Sequence, residues 1–328
     1  MKDGKTVWLP CHRSRIPGLP DGLTYAHWDG AGPLPGDPAD VRFLVGPPVA
    51  EAERVLRPVL PRMRNLEVLQ LLGPGPARAM PLLADLPAGT RLANGYGARR
   101  ENAAERAITL LLALCRGLDR FPGDDFPADS ARDGRRPAFR VSLVGKRVLV
   151  VGYGAVGASV VARLGAFRCE PVLVARTART TPAGRVHGAG ELSALLPTAD
   201  AVVLCEPLTE GVRGVFGADA LASLKDGALL VNVAGSELVD TRALVPQVRA
   251  GRLRVGLDVT DAERPASGHP LEGLPGALVV PQAAPFTEVF PALHADFLRR
   301  QLRRYQDGRE LHNVVLTTAQ AAGGKRAA

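Results

Sequence analysis

Aromatic residues are scarce in this chain, at 5% of its 328 positions. A surface built for nucleic acid wants aromatics interleaved with massed basic residues. Here the 41 basic residues outnumber 33 acidic ones for a formal charge of +8, but they are nearly all arginine and are scattered along the chain. No nucleic-acid partner is expected, and phosphate-bearing small ligands suit this charge better. Cysteine is equally sparse. Cys11, Cys115, Cys169 and Cys205 share no CxxC spacing, which argues against a disulfide framework or a zinc site and predicts no bound metal. No apolar run reaches the roughly 18 residues of a membrane span. The opening stretch, MKDGKTVWLPCHRSR, lacks the apolar core of a secretory signal, so a cytoplasmic protein with no membrane partner is the expectation.

What is present is a globular pattern, with apolar residues at 46% and charged ones at 23%. The length exceeds the roughly 250–300 residues at which one hydrophobic core stops growing, so two domains are expected. VRFLV at Val41–Val45, the helix-like AEAERVLRPVLPRM and the apolar LEVLQLLG read as strand, helix and strand. LPAGTRLANG supplies a further short strand, and Asn102 to Leu118 is apolar at helical spacing. Between Gly117 and Arg140 the chain turns polar and rich in Pro and Gly, which predicts a surface loop. Six short β-branched runs follow: KRVLVVG, PVLVAR, DAVVLCEP, GALLVNV, LRVGLDV and GALVVPQ. Separated by helical or loop segments, they predict buried parallel strands in a doubly wound α/β sheet. PALHADFLRRQLRRYQDG then presents Leu293, Phe297 and Leu302 on one helical face, expected to pack back on the first domain. The tail AQAAGGKRAA has nothing to bury and is expected to fray.

The strongest motif is VLVVGYGAVGASVVARLG, in which Gly152, Gly154 and Gly157 form GxGxxG after a strand and at the opening of a helix. Glycines there permit a tight turn and close approach to a pyrophosphate, and the helix N-terminus offers unpaired N–H groups to the anion. Tyr153, Ala155 and Val156 complete the expected loop. NAD-binding versions place Asp or Glu about 20 residues on, for the ribose 2′-hydroxyl. This chain has Arg176 there, followed by Thr177 and Arg179. Two guanidinium groups and a hydroxyl, with no carboxylate to repel, suit a 2′-phosphate and so predict NADP(H) rather than NAD(H).

From about Leu66 to Val315 the chain resembles the D-isomer-specific 2-hydroxyacid dehydrogenases. The resemblance is carried by NAAERAITLLLALCRGL, KRVLVVGYGAVG, ADAVVLCEPLTEGVRGVF, LKDGALLVNVAGSELVDTRAL, GRLRVGLDVTDAERPASGHPL and RRYQDGRELHNVV. It implies two Rossmann-like domains with the cofactor domain inserted in the substrate domain. The division read is residues 1–100 for the N-terminal part of the substrate domain, 101–284 for the NADP-binding domain, and 285–328 for the returning helix and tail. It also implies pairing as a homodimer through the cofactor domains. Pro207 and Leu208 then lie beside the adenosine, Val233 and Ala234 line the cofactor, and Asp258 stands near the nicotinamide carboxamide.

The family's chemistry rests on an arginine that clamps the substrate carboxylate, a histidine acting as acid/base, and a glutamate that orients the histidine. In this chain Gly235 stands at the arginine position, within LVNVAGSELVD, and Gln282 at the histidine position, within VVPQAAP. An amide does not titrate near neutral pH, so Gln282 is no acid/base. Glu263, in DVTDAERP, matches the glutamate. The substrate loop departs as well, reading Gly73-Pro74-Gly75-Pro76-Ala77, and Tyr96 occupies a position often held by arginine. These changes converge on one pocket, so the expected activity is an NADPH-dependent reduction of a small molecule other than a simple 2-oxo acid. Glu263, Tyr96 or water remain as proton sources. A non-catalytic NADPH-binding regulator or scaffold, and a cofactor-retaining enzyme of non-redox chemistry, stay open as alternatives. His269 and His294 read as surface or capping residues; His12 and His27, in the opening segment, are unassigned.

Overall fold

The computed structural model describes residues 5–46, 52–73, 82–95, 100–119, 141–205, 214–258, 268–280 and 290–319. The chain divides into two compact units. Met1–Arg99 with Glu288–Ala328 form the first, and Arg100–Thr287, lying between these pieces in sequence, form the second. Each unit is built on one largely parallel sheet.

The first unit contains strands β1 (Thr6–Leu9), β2 (Thr24–His27), β3 (Val41–Val45), β4 (Val68–Gln70), β5 (Arg91–Ala93) and β14 (Val314–Thr317), with helices α1 (Ala52–Leu56) and α7 (Phe290–Gln306). The sheet order is β14-β5-β4-β3-β1-β2, parallel except for β14, which runs antiparallel to β5. Alternation along the strands serves two cores. Val7, Leu9, Phe43, Val45 and Val68 face a cluster completed by Phe297, Leu298, Leu302 and Tyr305 of α7. Trp8, Leu44, Leu69 and Leu92 face the other cluster, with Leu56, Leu60 and Met63. A parallel sheet buried on both faces needs apolar residues at consecutive positions, which is why TVWL and VRFLV read as near-continuous apolar runs. The segment read as one helix, AEAERVLRPVLPRM, is instead α1 and a separate 3-10 turn at Leu60–Arg62. Pro58 and Pro61 remove backbone donors and disfavour helical geometry just before each of them.

The second unit holds α2 (Arg100–Arg116), β6 (Arg147–Val151), α3 (Ala155–Leu164), β7 (Glu170–Ala175), β8 (Arg179–Thr181), β9 (Gly184–Gly188), α4 (Leu192–Leu195), β10 (Ala201–Leu204), α5 (Ala218–Ser223), β11 (Ala228–Asn232), α6 (Thr241–Arg249), β12 (Leu253–Leu257) and β13 (Ala277–Val279). Its sheet order is β13-β12-β11-β10-β6-β7-β9-β8, all parallel except the β8–β9 hairpin. Helices α2 and α3 pack together and α2 covers β11 and β12. The opposite face carries Leu149, Val174, Val202, Leu204, Leu230 and Val255, packed with Leu221, Leu244 and Val248 from α5 and α6. α2 ends where Gly117 adopts φ +75°, a left-handed cap that closes its last turn. Among the described residues no helix is long and apolar enough to cross a membrane.

Candidate functional site

The chain winds from β6 to β7 on one side and later returns to place β10 on the other. The strand order therefore reverses at β6, and a crevice opens outside the carboxyl ends of β6 and β10. The GxGxxG turn leaves β6 at that point. Gly152, with φ +100°, sits in a conformation open to glycine but strained for other residues. The turn is tied to the neighbouring strand, because the Gly152 and Tyr153 N–H groups both donate to the Val174 carbonyl, at 2.9 and 3.0 Å. Gly154 is the N-cap of α3, which begins at Ala155.

A Cβ placed on Gly157 would lie 2.2 Å from the Gly152 carbonyl oxygen. Only glycine lets the first turn of α3 close against the strand exit. A Cβ on Gly154, by contrast, would meet nothing within 4 Å, so that face of the turn is open to a ligand. The first-turn N–H groups of α3, at Ala155, Val156 and Gly157, have no carbonyl partner within the helix. They point with the positive end of the helix dipole toward that opening. These residues fit a dinucleotide pyrophosphate.

Arg176, Thr177 and Arg179 are exposed and follow the end of β7. Arg179 is anchored over the glycine turn: its guanidinium donates to the Tyr153 carbonyl at 2.7 Å and to the Thr177 carbonyl at 3.3 Å, and its carbon lies 5.9 Å from the Tyr153 ring centroid. The structure thus brings Arg179 to the glycine turn, while Arg176 and Thr177 lie in the connection that leaves the neighbouring strand β7. The motif reading did not see the hairpin beyond them. RTT and GRVHG are short and polar, yet β8 and β9 pair at Arg179↔Val186, Thr180↔Arg185 and Thr181↔Gly184.

Further along the same sheet edge, Val233 and Ala234 leave the end of β11 and Asp258 the end of β12. The Val233 N–H donates to the Leu204 carbonyl at 3.1 Å and that of Asp258 to the Asn232 carbonyl at 2.9 Å, so the strand exits step side by side. Asp258 is 5% exposed. Asn232, missed as a functional residue in the sequence, shapes this loop. Its side-chain amide donates to the Gly235 carbonyl at 2.8 Å and its Oδ1 accepts from the N–H of Ala234 at 3.0 Å and of Gly235 at 3.4 Å. The signal that could have found it is an amide side chain closing a strand, two residues before the loop turns. Gly235 has φ −171°, an extended backbone open to any residue. Glycine is therefore not demanded there by conformation, and its effect is to leave the position without a side chain.

Tyr96, Glu263, Gln282, Pro207 and Leu208 lie outside the described residues, as do most of the Gly73–Ala77 loop, residues 120–140 of the predicted loop, and the end of the tail. Of the histidines, His294 is 7% exposed with Nε2 3.3 Å from the Leu72 carbonyl, and His269 accepts the Leu271 N–H at 3.2 Å. Both serve the backbone, although neither is on the surface.

Residues 108–284 match the family profile described as the D-isomer specific 2-hydroxyacid dehydrogenase, NAD binding domain. The chain is 28% identical over 283 residues to formate dehydrogenase 2, mitochondrial, of Oryza sativa subsp. japonica, covering 84% of this chain and 73% of that protein. It is 28% identical over 223 residues to the hydroxypyruvate reductase of Thermotoga maritima, covering 66% of this chain and 69% of that one. Among solved structures, a D-isomer specific 2-hydroxyacid dehydrogenase from Xanthobacter autotrophicus Py2, crystallised in complex with NADPH and MES, superposes with a TM-score of 0.73 at 26% identity, covering 95% of this chain and 98% of that one. With a dinucleotide cradle at the switch point of a doubly wound sheet and a profile match across more than half its length, the chain belongs to the D-isomer specific 2-hydroxyacid dehydrogenases.

Proposed function

We propose that the protein is an NADPH-dependent oxidoreductase of the 2-hydroxyacid-dehydrogenase type whose substrate is not a simple 2-oxo acid. The observation that carries the cofactor half is the end of β7. Arg176, Thr177 and Arg179 follow that strand with no carboxylate among residues 175–181, and Arg179 is held over the glycine turn by the Tyr153 carbonyl. A carboxylate in that position accepts two hydrogen bonds from a ribose diol, whereas a guanidinium pair neutralises and donates to a 2′-phosphate. The Xanthobacter relative, crystallised with NADPH, supports the same reading.

When bound, NADPH supplies a hydride to an acceptor carbon. The chain's task is to hold the cofactor along the switch-point crevice, with the α3 N-terminus on the pyrophosphate, Val233 and Ala234 along its length, and Asp258 beside the nicotinamide amide. Pro207 is assigned to the adenosine side. At Gly235 the backbone adopts an ordinary extended conformation with no cationic side chain, so a substrate carboxylate is not clamped. Gln282 offers an amide, which has no titratable proton to donate. Glu263 and Tyr96 are the groups assigned to proton supply. Such a site suits an iminium, which takes hydride without a proton, or a polarised alkene, whose stabilised carbanion is then protonated by Glu263, Tyr96 or water. The working form is a homodimer.

The experiment is an NADPH oxidation screen. Glyoxylate, pyruvate and hydroxypyruvate are expected to give rates lower than ordinary turnover by the roughly 10²–10⁴-fold that acid/base catalysis supplies, with turnover sought among imines and enones. A turnover number near the usual ~10 s⁻¹ on any simple 2-oxo acid refutes the substrate half. Bound but unreactive NADPH across the whole screen, with a protein partner whose binding depends on NADPH, favours the regulatory reading.

A further inference from the structure

β7 and β8 are joined by only three residues, 176–178, and these carry the exposed arginine and threonine assigned to the 2′-phosphate. β9 lies between the two strands in the sheet, parallel to β7 at Leu173↔Val186, Val174↔His187 and Ala175↔Gly188, and antiparallel to β8. The connection therefore passes over the carboxyl end of β9. The contacts agree. The Ala189 N–H reaches the Arg176 carbonyl at 3.4 Å, and a Cβ built on Gly188 would lie 3.5 Å from the Ala178 nitrogen. Residues 188–189 form the floor beneath the arginine turn.

That floor is held by one carboxylate. Glu191 Oε1 accepts the Gly188 N–H at 2.9 Å, while Oε2 accepts from Arg185 at 2.8 Å and lies 2.7 Å from His187 Nδ1. Hydrogen bonds from the His187 ring and the Gly188 N–H hold its carboxyl below the ordinary carboxylate range, so it is ionised at neutral pH. Both side chains come from β9 itself, so the single carboxylate fastens the strand's last residues to the turn that follows it. Arg185 also balances its charge, which leaves no unpaired carboxylate at the base of an anion site.

We propose that Glu191 is a positioning residue for cofactor discrimination: by pinning Gly188 and Ala189 beneath residues 176–178, it sets the angle at which Arg176 and Thr177 meet the 2′-phosphate. This rests on the NADP(H) reading above. A residue that merely capped the 3-10 turn at Ala189–Glu191 would, when removed, lower stability and weaken both cofactors together. A residue that aims the turn acts on NADPH alone, because NADH has only a hydroxyl there.

The test uses the full chain, with calorimetric Kd values for NADPH and NADH and a thermal unfolding midpoint for each protein. Glu191→Ala is expected to raise the NADPH Kd on the order of tenfold, as one misaligned charge-assisted hydrogen bond would, and to leave the NADH Kd within about twofold. Glu191→Gln keeps an acceptor for the Gly188 N–H, preserves the fold, and is expected to fall between the two. Equal weakening of both cofactors in either variant, or an unchanged NADPH Kd, overturns the proposal. If the parent protein itself binds both cofactors equally, the NADP(H) reading fails and the positioning role goes with it. If the parent prefers NADPH and the variants keep that preference, the positioning role alone fails.

Discussion

At Gly157 a methyl group has nowhere to go, since its nearest neighbour, at 2.2 Å, is the backbone oxygen of Gly152 rather than the movable end of a side chain. At Gly154 the same methyl meets open space. Two glycines of one motif therefore stand in different surroundings, one closed in by backbone and one beside open space. Gly157→Ala is expected to destabilise the protein by about 1–3 kcal/mol, as overpacking does, and to weaken dinucleotide binding. Gly154→Ala is expected to keep the parental unfolding midpoint and lose affinity only. Thermal unfolding and a cofactor titration on both variants check this. A Gly157→Ala protein with parental stability and affinity would show that the turn yields more readily than its geometry allows.

Among the elements, α2 and α3 are joined at one end by a small polar cluster. Glu101 accepts from Ser159 at 2.9 Å and from Arg163 at 2.9 Å, and Arg163 also bonds Ser159. Burial pushes the Glu101 carboxyl up, but the hydrogen bonds from Arg163 and Ser159 outweigh it and leave the value lowered. A carboxyl lowered in the folded state adds stability above its unfolded value, near 4.3, and loses it as pH falls through the folded value. The Glu101 side chain is 37% exposed, so solvent screening limits the contribution to at most about 1 kcal/mol. Glu101→Gln is expected to unfold about 2–4 °C below the parent at pH 7, with the gap closing in acid. Unfolding curves at the two pH values decide it, and a gap that persists unchanged in acid contradicts the assignment.

For the molecule as a whole, legibility followed burial. The central strands of the second unit, such as RVLVV and ALLVN, are near-continuous apolar runs enclosed on both faces, so composition alone marked them. The flanking elements were less visible. TYAH is half-exposed with no fully buried residue, and the paired strands β8 and β9 offer one buried residue between them, Val186. The helix read across residues 50–63 failed because its apolar spacing was right while Pro58 and Pro61 forbade continuity. The places of the glycine turn at the exit of β6 and of Arg176 at the exit of β7 were legible because a fixed spacing from a strand implies a fixed place on the sheet. Asn232 and Glu191 were not, because Asn232 bonds backbone groups of its own loop and Glu191 bonds a loop N–H and two side chains of a short polar strand, none of which periodicity reports. At Gly235 the extended φ shows that backbone geometry does not require glycine.

The central claim is that this chain keeps a dinucleotide cradle tuned to a 2′-phosphate. It is tested most directly by calorimetric titration of the full protein with NADPH and with NADH, repeated on Arg176→Asp. The account predicts that the parent binds NADPH tighter by on the order of tenfold or more, as one charge-assisted hydrogen bond would give. The aspartate is expected to abolish or invert that preference. Equal Kd values for the two cofactors in the parent, or a preference that survives Arg176→Asp, would contradict it.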